Sequence, residues 1–485
     1  MKYIKILIIA LVVTSCDDDF LNLDPISSIK ESEYYTTDQE VYSGVIGMYD
    51  AIQGNNFSVD GFDNESISAG IQYEFYVTEM RSDNTFMRDT EGESGDISLW
   101  EISASNTIVA NYYKSFYEVI FRANKVLESI DGADEENQQR YEAEARFVRA
   151  YAYFNLVRLF GDIPYLDSIE DVDTDAQFTR VSETEVYTYI IEDLLMAESA
   201  LDNSSKSRAS QAAAKALLAK VYLTTGNYTG AKILCKDIID SEEFALQENF
   251  KDIFYNELNS EIIFSVGYVS DNESESQGLS ELWASLRENG INNLTENIIS
   301  AFSSDEGENR SNYSFYFDGE NDNLNRGKVG KFLAAPNASL GINPSAINQS
   351  LAGNDWIILR YADVYLMFVE AVMADLDEID VTITTDEDLA TAKFCFEEIR
   401  RRAGVENYTV STISKEELLN ERRLELAFEN HRFFDLVRFD VALEVLQEYG
   451  VQELGRVFTE FDLLLPIPER EITLSGDTMR QNDGY

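Results

Sequence analysis

The sequence predicts a mostly α-helical fold, a tetratricopeptide-like helical-repeat scaffold interrupted by irregular excursions. Three observations predict it. Apolar residues recur at spacings of three and four through long segments, the period of one helix face. Those segments begin and end on helix-capping residues. Six prolines in 485 residues leave room for long helices rather than many short strands. Length alone is compatible with two to four domains.

Taken in chain order, Met1–Lys5 carries two lysines, Ile6–Val13 is an unbroken apolar run, and small polar residues lead into Cys16. A charged start, a short apolar core and small residues before a cut site form a secretory signal over 1–15. Eight apolar residues fall short of the roughly 20 that a membrane-spanning helix needs. The pattern resembles a bacterial lipobox with Cys16 as the lipidated N-terminus, the alternative being an ordinary signal peptide with an incidental cysteine. Asp17–Asp19 then opens an acidic tether over 16–37. Residues 55–105 are irregular and rich in Ser, Asp, Asn and Gly.

In Tyr141–Phe160, Ala143, Phe147, Ala150, Phe154 and Val157 make one apolar stripe, stopped by Gly161 and Pro164. Ser182 and Glu185 have capping-box spacing at the start of the next helix. Ala212–Thr225, Gly226-Asn227 and Tyr228–Ile239 read as a helix hairpin with alanines where the helices approach. Glu261–Val266 has the length and composition of a buried strand. Residues 269–353 are irregular again, with Asn, Ser and Asp clusters and several aromatics. Ile357–Ala374 and Leu389–Ala403 read as another helix pair. Ser414 and Glu417 cap a helix running to about Asn430. Both irregular stretches are longer than connectors in a compact helical fold, and such loops usually carry function.

Composition excludes several function classes. With 38 Lys+Arg against 89 Asp+Glu the net charge is −51, and loss of Met1–Ser15 takes it to −53. A charge of this sign repels nucleic-acid phosphates and acidic headgroups, so no nucleic acid is expected as a partner. One histidine, His431, does not build a multi-histidine metal site, and three cysteines do not staple a chain of this length. No nucleophile elbow, phosphate loop or zinc-protease motif is present, so no catalytic residue, cofactor or metal is assigned. Asp171, Asp173 and Asp175 lack the glycine and glutamate of a calcium loop and read as a solvated acidic loop. Cys235 and Cys395 lie on apolar stripes, as buried thiols do. Among the arginines at 400–402, 422, 423, 432 and 438, Glu397–Arg401 and Glu398–Arg402 are four apart, Arg422–Glu425 is three apart and Asp435 is nearby, so internal ion pairs are expected.

Two of the three tryptophans stand apart. Trp356 enters an apolar segment and reads as core, whereas Trp100 and Trp283 fall in or beside the irregular stretches among Asn, Asp and Arg. A flat indole covers the C–H face of a sugar while amides and charges bond its hydroxyls. Trp100, Trp283, Arg81, Asp83 and Asn106 are therefore the candidate ligand-binding residues; packing beneath a loop is the alternative for either tryptophan.

The segments Glu144–Leu166, Ala213–Ala231, Leu359–Ala371, Ile399–Gly404, Glu421–Phe439 and Leu463–Ile467 resemble the SusD/RagB family of Bacteroidetes surface lipoproteins. The resemblance implies a SusD-like scaffold forming a single domain over 38–485, with variable ligand-binding segments at about 55–105 and 269–353. It implies a non-catalytic binding protein, lipid-anchored through Cys16 on the extracellular side of the outer membrane. It also implies a partner, a SusC-like TonB-dependent transporter that receives the captured glycan. The strong negative charge favours a neutral oligo- or polysaccharide. A peptide ligand and an all-helical glycoside hydrolase are the alternative readings.

Overall fold

A computed structural model describes residues 35–56, 68–87, 91–169, 174–280, 293–317, 327–333, 349–476 and 478–485. Cys16, the signal segment, Asp171, Asp173 and Trp283 lie outside the described residues.

Eight helices form the scaffold: α1 (Asp38–Gln53), α2 (Thr107–Glu128), α3 (Glu135–Phe160), α4 (Glu183–Ala200), α5 (Gln211–Thr225), α6 (Tyr228–Asp240), α7 (Tyr361–Asp375) and α8 (Glu387–Ala403). Each packs mainly against its neighbours in the series, as the hairpins of a tetratricopeptide-like array do. Local chemistry marks the boundaries. Asn106 caps α2 by accepting from the Val109 N–H at 3.1 Å. Ser182 accepts from the Glu185 N–H at the start of α4. Gly226 ends α5 at φ +79°, a left-handed conformation that disfavours residues with a Cβ, and Asn227 caps α6 one residue later. Ala212, Ala213, Ala214, Ala216 and Ala219 are buried on α5, where short side chains bring α4 and α6 close.

Two predicted boundaries shift. Ile357–Arg360 is not helical: it belongs to a strand, Trp356–Arg360, paired antiparallel with Ile262–Val266. Hydrophobic content alone does not separate a short buried strand from the first turn of a helix, and Trp356 is core as expected. The helix capped by Ser414 and Glu417, α9 (Lys415–Glu425), stops five residues early because Phe428 and Asn430 adopt φ of +66° and +65°. A further short helix, α10, covers Arg432–Arg438.

The arginines do form internal ion pairs, but with different partners from those their spacing predicts. Arg402 reaches Glu261 and Glu425 rather than Glu398, and Arg422 reaches Asp363 rather than Glu425, together with Asp435, the nearby acid the sequence offers. Arg401 and Arg438 keep short-range pairs, with Glu398 and Asp435. The second half of α9, Glu421–Glu425, is buried and its charged side chains radiate to separate elements, while Lys415, Glu416 and Glu417 are exposed. Arg360 lies against Glu261 at 2.8 Å, Glu425 at 2.7 Å and Glu429 at 2.7 Å. Arg310, Arg400 and Lys331 complete this cluster with Asp305, Glu421 and Glu429. Five cations thus face five carboxylates, a balance that a dry interior demands. A second cluster sets Lys220, Arg422 and Arg438 against Asp363, Glu370 and Asp435.

These clusters give stability a pH signature. Burial opposes the charge of Glu425, but Arg402, Arg360 and Arg310 outweigh it and hold the carboxyl down to about 2; Asp435, facing Arg422 and Arg438, behaves alike. Their stabilisation is present above the ordinary carboxylate range and is lost as pH falls through it towards 2. Glu79 and Asp355 shift the other way, pushed up to about 7 by burial, so deprotonating them costs stability as pH rises from the ordinary carboxylate range to 7. The melting temperature is therefore expected to peak near pH 5 and to fall on both sides; a steady rise from pH 5 to 8 in a thermal scan would contradict this assignment.

Candidate functional site

The two irregular stretches, far apart in sequence, meet in a small sheet. Its strands are β1 (Thr85–Phe86), β2 (Asn293–Leu294), β3 (Phe315–Phe317) and β4 (Gly327–Val329), in the spatial order β1-β2-β4-β3 with every pair antiparallel. Register sorts the side chains. Leu294, Val329 and Phe315 share one face with Thr85, and Phe302 of the helix Glu296–Ser304 packs there, its ring 5.3 Å from Phe315. The other face carries one cross-strand row: Phe86, Asn293, Lys328 and Tyr316. Phe86 and Tyr316 are half-buried, while Asn293 and Lys328 lie deeper between them.

Beneath the sheet, buried polar contacts fix its position. Arg432 grips the Asp83 carboxylate with two hydrogen bonds, of 2.7 and 2.9 Å. Arg423 donates to the Asn84 side chain at 2.8 Å, to the Asp83 carbonyl at 3.0 Å and to Asn297 at 2.7 Å. Thr295 donates its N–H to the Asn84 carbonyl and its hydroxyl to the Asp83 carbonyl. The α9–α10 region thereby clamps β1 to β2. Burial opposes the Asp83 charge, yet Arg423 and Arg432 prevail and hold its carboxyl down to about 2.

This geometry corrects most of the residue-level expectations. Asp83 is buried and spends its carboxylate on Arg423 and Arg432, so it is not available to a ligand. Arg81 has no exposed surface: it donates to the carbonyls of Val77 and Asp462, and its guanidinium stacks 4.2 Å from the Phe433 ring centre. Asn106 is the buried cap of α2 and also donates to the Glu93 carbonyl at 3.0 Å. Trp100 is 7% exposed, its rings edge-on to Tyr449 and Phe458 and its indole N–H donated to the Arg81 carbonyl at 3.2 Å. It packs so tightly on Gly450 that a Cβ there would stand 2.5 Å from the indole. Packing beneath a loop, the alternative for Trp100, is what the fold shows. Trp100→Phe is expected to cost about 1 kcal/mol through the lost hydrogen bond and to leave ligand affinity unchanged, by denaturation and titration of the same variant.

The row on the sheet escaped sequence reasoning because its members come from four separated segments. The one local signal was the aromatic run Phe315-Tyr316-Phe317, in which a strand period turns the middle ring away from its neighbours.

Comparison with known proteins places this architecture. The model of the SusD family matches residues 282–485, and that of a family described as starch-binding, associating with outer membrane, matches residues 19–223. The chain belongs to the SusD/RagB family. SusD-like protein P2 of Formosa agariphila is 26% identical over the full length of both chains. The starch-binding protein SusD of Bacteroides thetaiotaomicron is 27% identical over 183 residues, 37% of this chain and 31% of that one. Among solved structures, a laminarin-binding SusD-like protein superposes with a TM-score of 0.74 at 23% identity, covering 93% of this chain and all of that one. A surface glycan-binding protein A from Bacteroides thetaiotaomicron, in complex with laminarihexaose, gives 0.73 at 20% identity, covering 92% and 100%. At these identities the superpositions show the SusD fold. As a SusD/RagB member the chain is a binding protein rather than an enzyme.

Proposed function

We propose that this SusD/RagB protein captures a neutral oligo- or polysaccharide at the cell surface and hands it to a SusC-like TonB-dependent transporter. It is held on the outer face of the outer membrane by acyl chains on Cys16. The observation that carries the glycan reading is the Phe86–Asn293–Lys328–Tyr316 row, where two rings flank an amide and an ammonium on one face. Aromatic faces take the C–H surface of a pyranose, and Phe86 and Tyr316 are the half-buried rings of this row, with Asn293 and Lys328 buried between them. The net charge of −51 opposes uronates and sulfated glycans, an effect limited by screening to about 8 Å in physiological salt. The ligands of those relatives, starch, laminarin and laminarihexaose, are neutral glucans and support the same class.

Affinity electrophoresis against a polysaccharide panel tests the class: retardation by a neutral glucan or mannan is expected, and retardation by uronates alone would overturn it. Tyr316→Ala is expected to weaken binding by about 1 kcal/mol with little change in melting temperature, since the ring is half-buried at a sheet edge. Trp283→Ala is the companion variant, expected to weaken binding comparably; normal binding with early unfolding would make Trp283 a core residue.

A further inference from the structure

A second, separate groove lies between the middle of α2, the segment after α3 and the helix Glu469–Leu474. Its volume is about 420 Å³, within the range of pockets that hold small ligands, and it shares no lining residue with the sheet row. Its floor comes from one face of α2, where Tyr113, Tyr117 and Phe121 follow at four-residue intervals. The Tyr113 and Tyr117 rings lie 4.7 Å apart; Tyr113 is buried and the Tyr117 hydroxyl is already donated to the Pro164 carbonyl at 2.8 Å, so the surface on offer is the rings of Tyr117 and Phe121 rather than phenols. Phe121 is 36% exposed, an aromatic ring left partly to solvent at the mouth. Around the rim stand Lys114, Arg470, Glu118 and Glu471, two cations against two carboxylates. A locally neutral rim in so acidic a molecule suits an uncharged ligand with many hydroxyls, each of which both donates and accepts.

We propose that this groove is a second saccharide subsite, holding one part of a neutral glycan chain while the sheet row holds another. The proposal rests on the glycan-binding reading. Two linked subsites on one chain raise the affinity for a long polysaccharide above that for a short fragment, because the second contact forms at high local concentration.

Equilibrium dialysis of the full chain with neutral hexasaccharides (laminari-, malto-, cello- and mannohexaose) at saturation, beside gel retardation by the matching polysaccharide, tests it. Two hexasaccharides per chain are expected for the unaltered protein. One is expected for Phe121→Ala and for Arg470→Ala, both at exposed positions, with polysaccharide affinity reduced about tenfold. A single hexasaccharide in the unaltered protein, lost with Tyr316→Ala and untouched by Phe121→Ala, overturns the second subsite and leaves the principal site standing. No binding of any panel member overturns both. Two hexasaccharides in the unaltered protein and in both groove variants overturn the assignment to this groove, and weakened capture of the transporter by Phe121→Ala in that case marks a protein contact.

Discussion

Replacing Arg360 with methionine is expected to remove about 3–5 kcal/mol of stability, the cost of leaving buried charge uncompensated. Among the described residues its guanidinium is the one cation in contact with all three of Glu261, Glu425 and Glu429, and each of those carboxylates is buried. Methionine fills the volume but returns none of the hydrogen bonds. The denaturation midpoint falls while the slope of the transition stays constant, since the folded state exposes no more surface. Adding Glu261→Gln to Arg360→Met recovers part of the loss by restoring the charge balance, since Arg402, the other cation against Glu261, keeps Glu425; the double-mutant cycle separates that coupling from packing. A shift of less than 1 kcal/mol for Arg360→Met would show that solvent reaches the cluster.

Asp83→Asn is expected to cost about 3 kcal/mol and to disturb the binding face only through the sheet's position. The substitution leaves Arg423 and Arg432 facing an amide instead of the carboxylate they share, within a region that also carries the Asn84 and Thr295 contacts. A direct ligand contact at Asp83 would produce the opposite pattern, lost affinity in a protein of unchanged stability. Denaturation and glycan titration on one preparation discriminate the two, and the buried geometry predicts that the stability loss dominates.

The scaffold was legible in the sequence because helix periodicity and capping are local properties. Gly226-Asn227 announces the α5–α6 turn, and Ser414 with Glu417 announces α9, each within a few residues. The end of α9 was less legible, since Phe428, a residue type that rarely takes a left-handed conformation, does so at φ +66°. The ion pairs were foreseen in kind and, Asp435 apart, mostly mistaken in partner: short-range spacing assumes an exposed helix, and the second half of α9 is enclosed. The same enclosure explains the candidate site. Arg81, Asp83 and Asn106 are polar residues in a Ser/Asp/Asn-rich stretch, a composition shared by solvent-facing loops and by buried polar cores; long-range partners such as Asp462, Arg432 and Glu93 decide between them. Those partners come from segments that a linear reading does not bring together. The two irregular stretches, 55–105 and 269–353, are joined by the pairing of Thr85 with Leu294 and Phe86 with Asn293.

The central claim is that this chain holds a glycan on the face of its small sheet without altering it. Calorimetric titration of the full-length protein with the neutral hexasaccharide it retains best, followed by mass analysis of the recovered sugar, tests that claim most directly. Saturable binding, weakened by Tyr316→Ala, with the hexasaccharide returned at its original mass is the predicted result. Shortened sugar in the recovered fraction, or full affinity in the Tyr316→Ala variant, would contradict it.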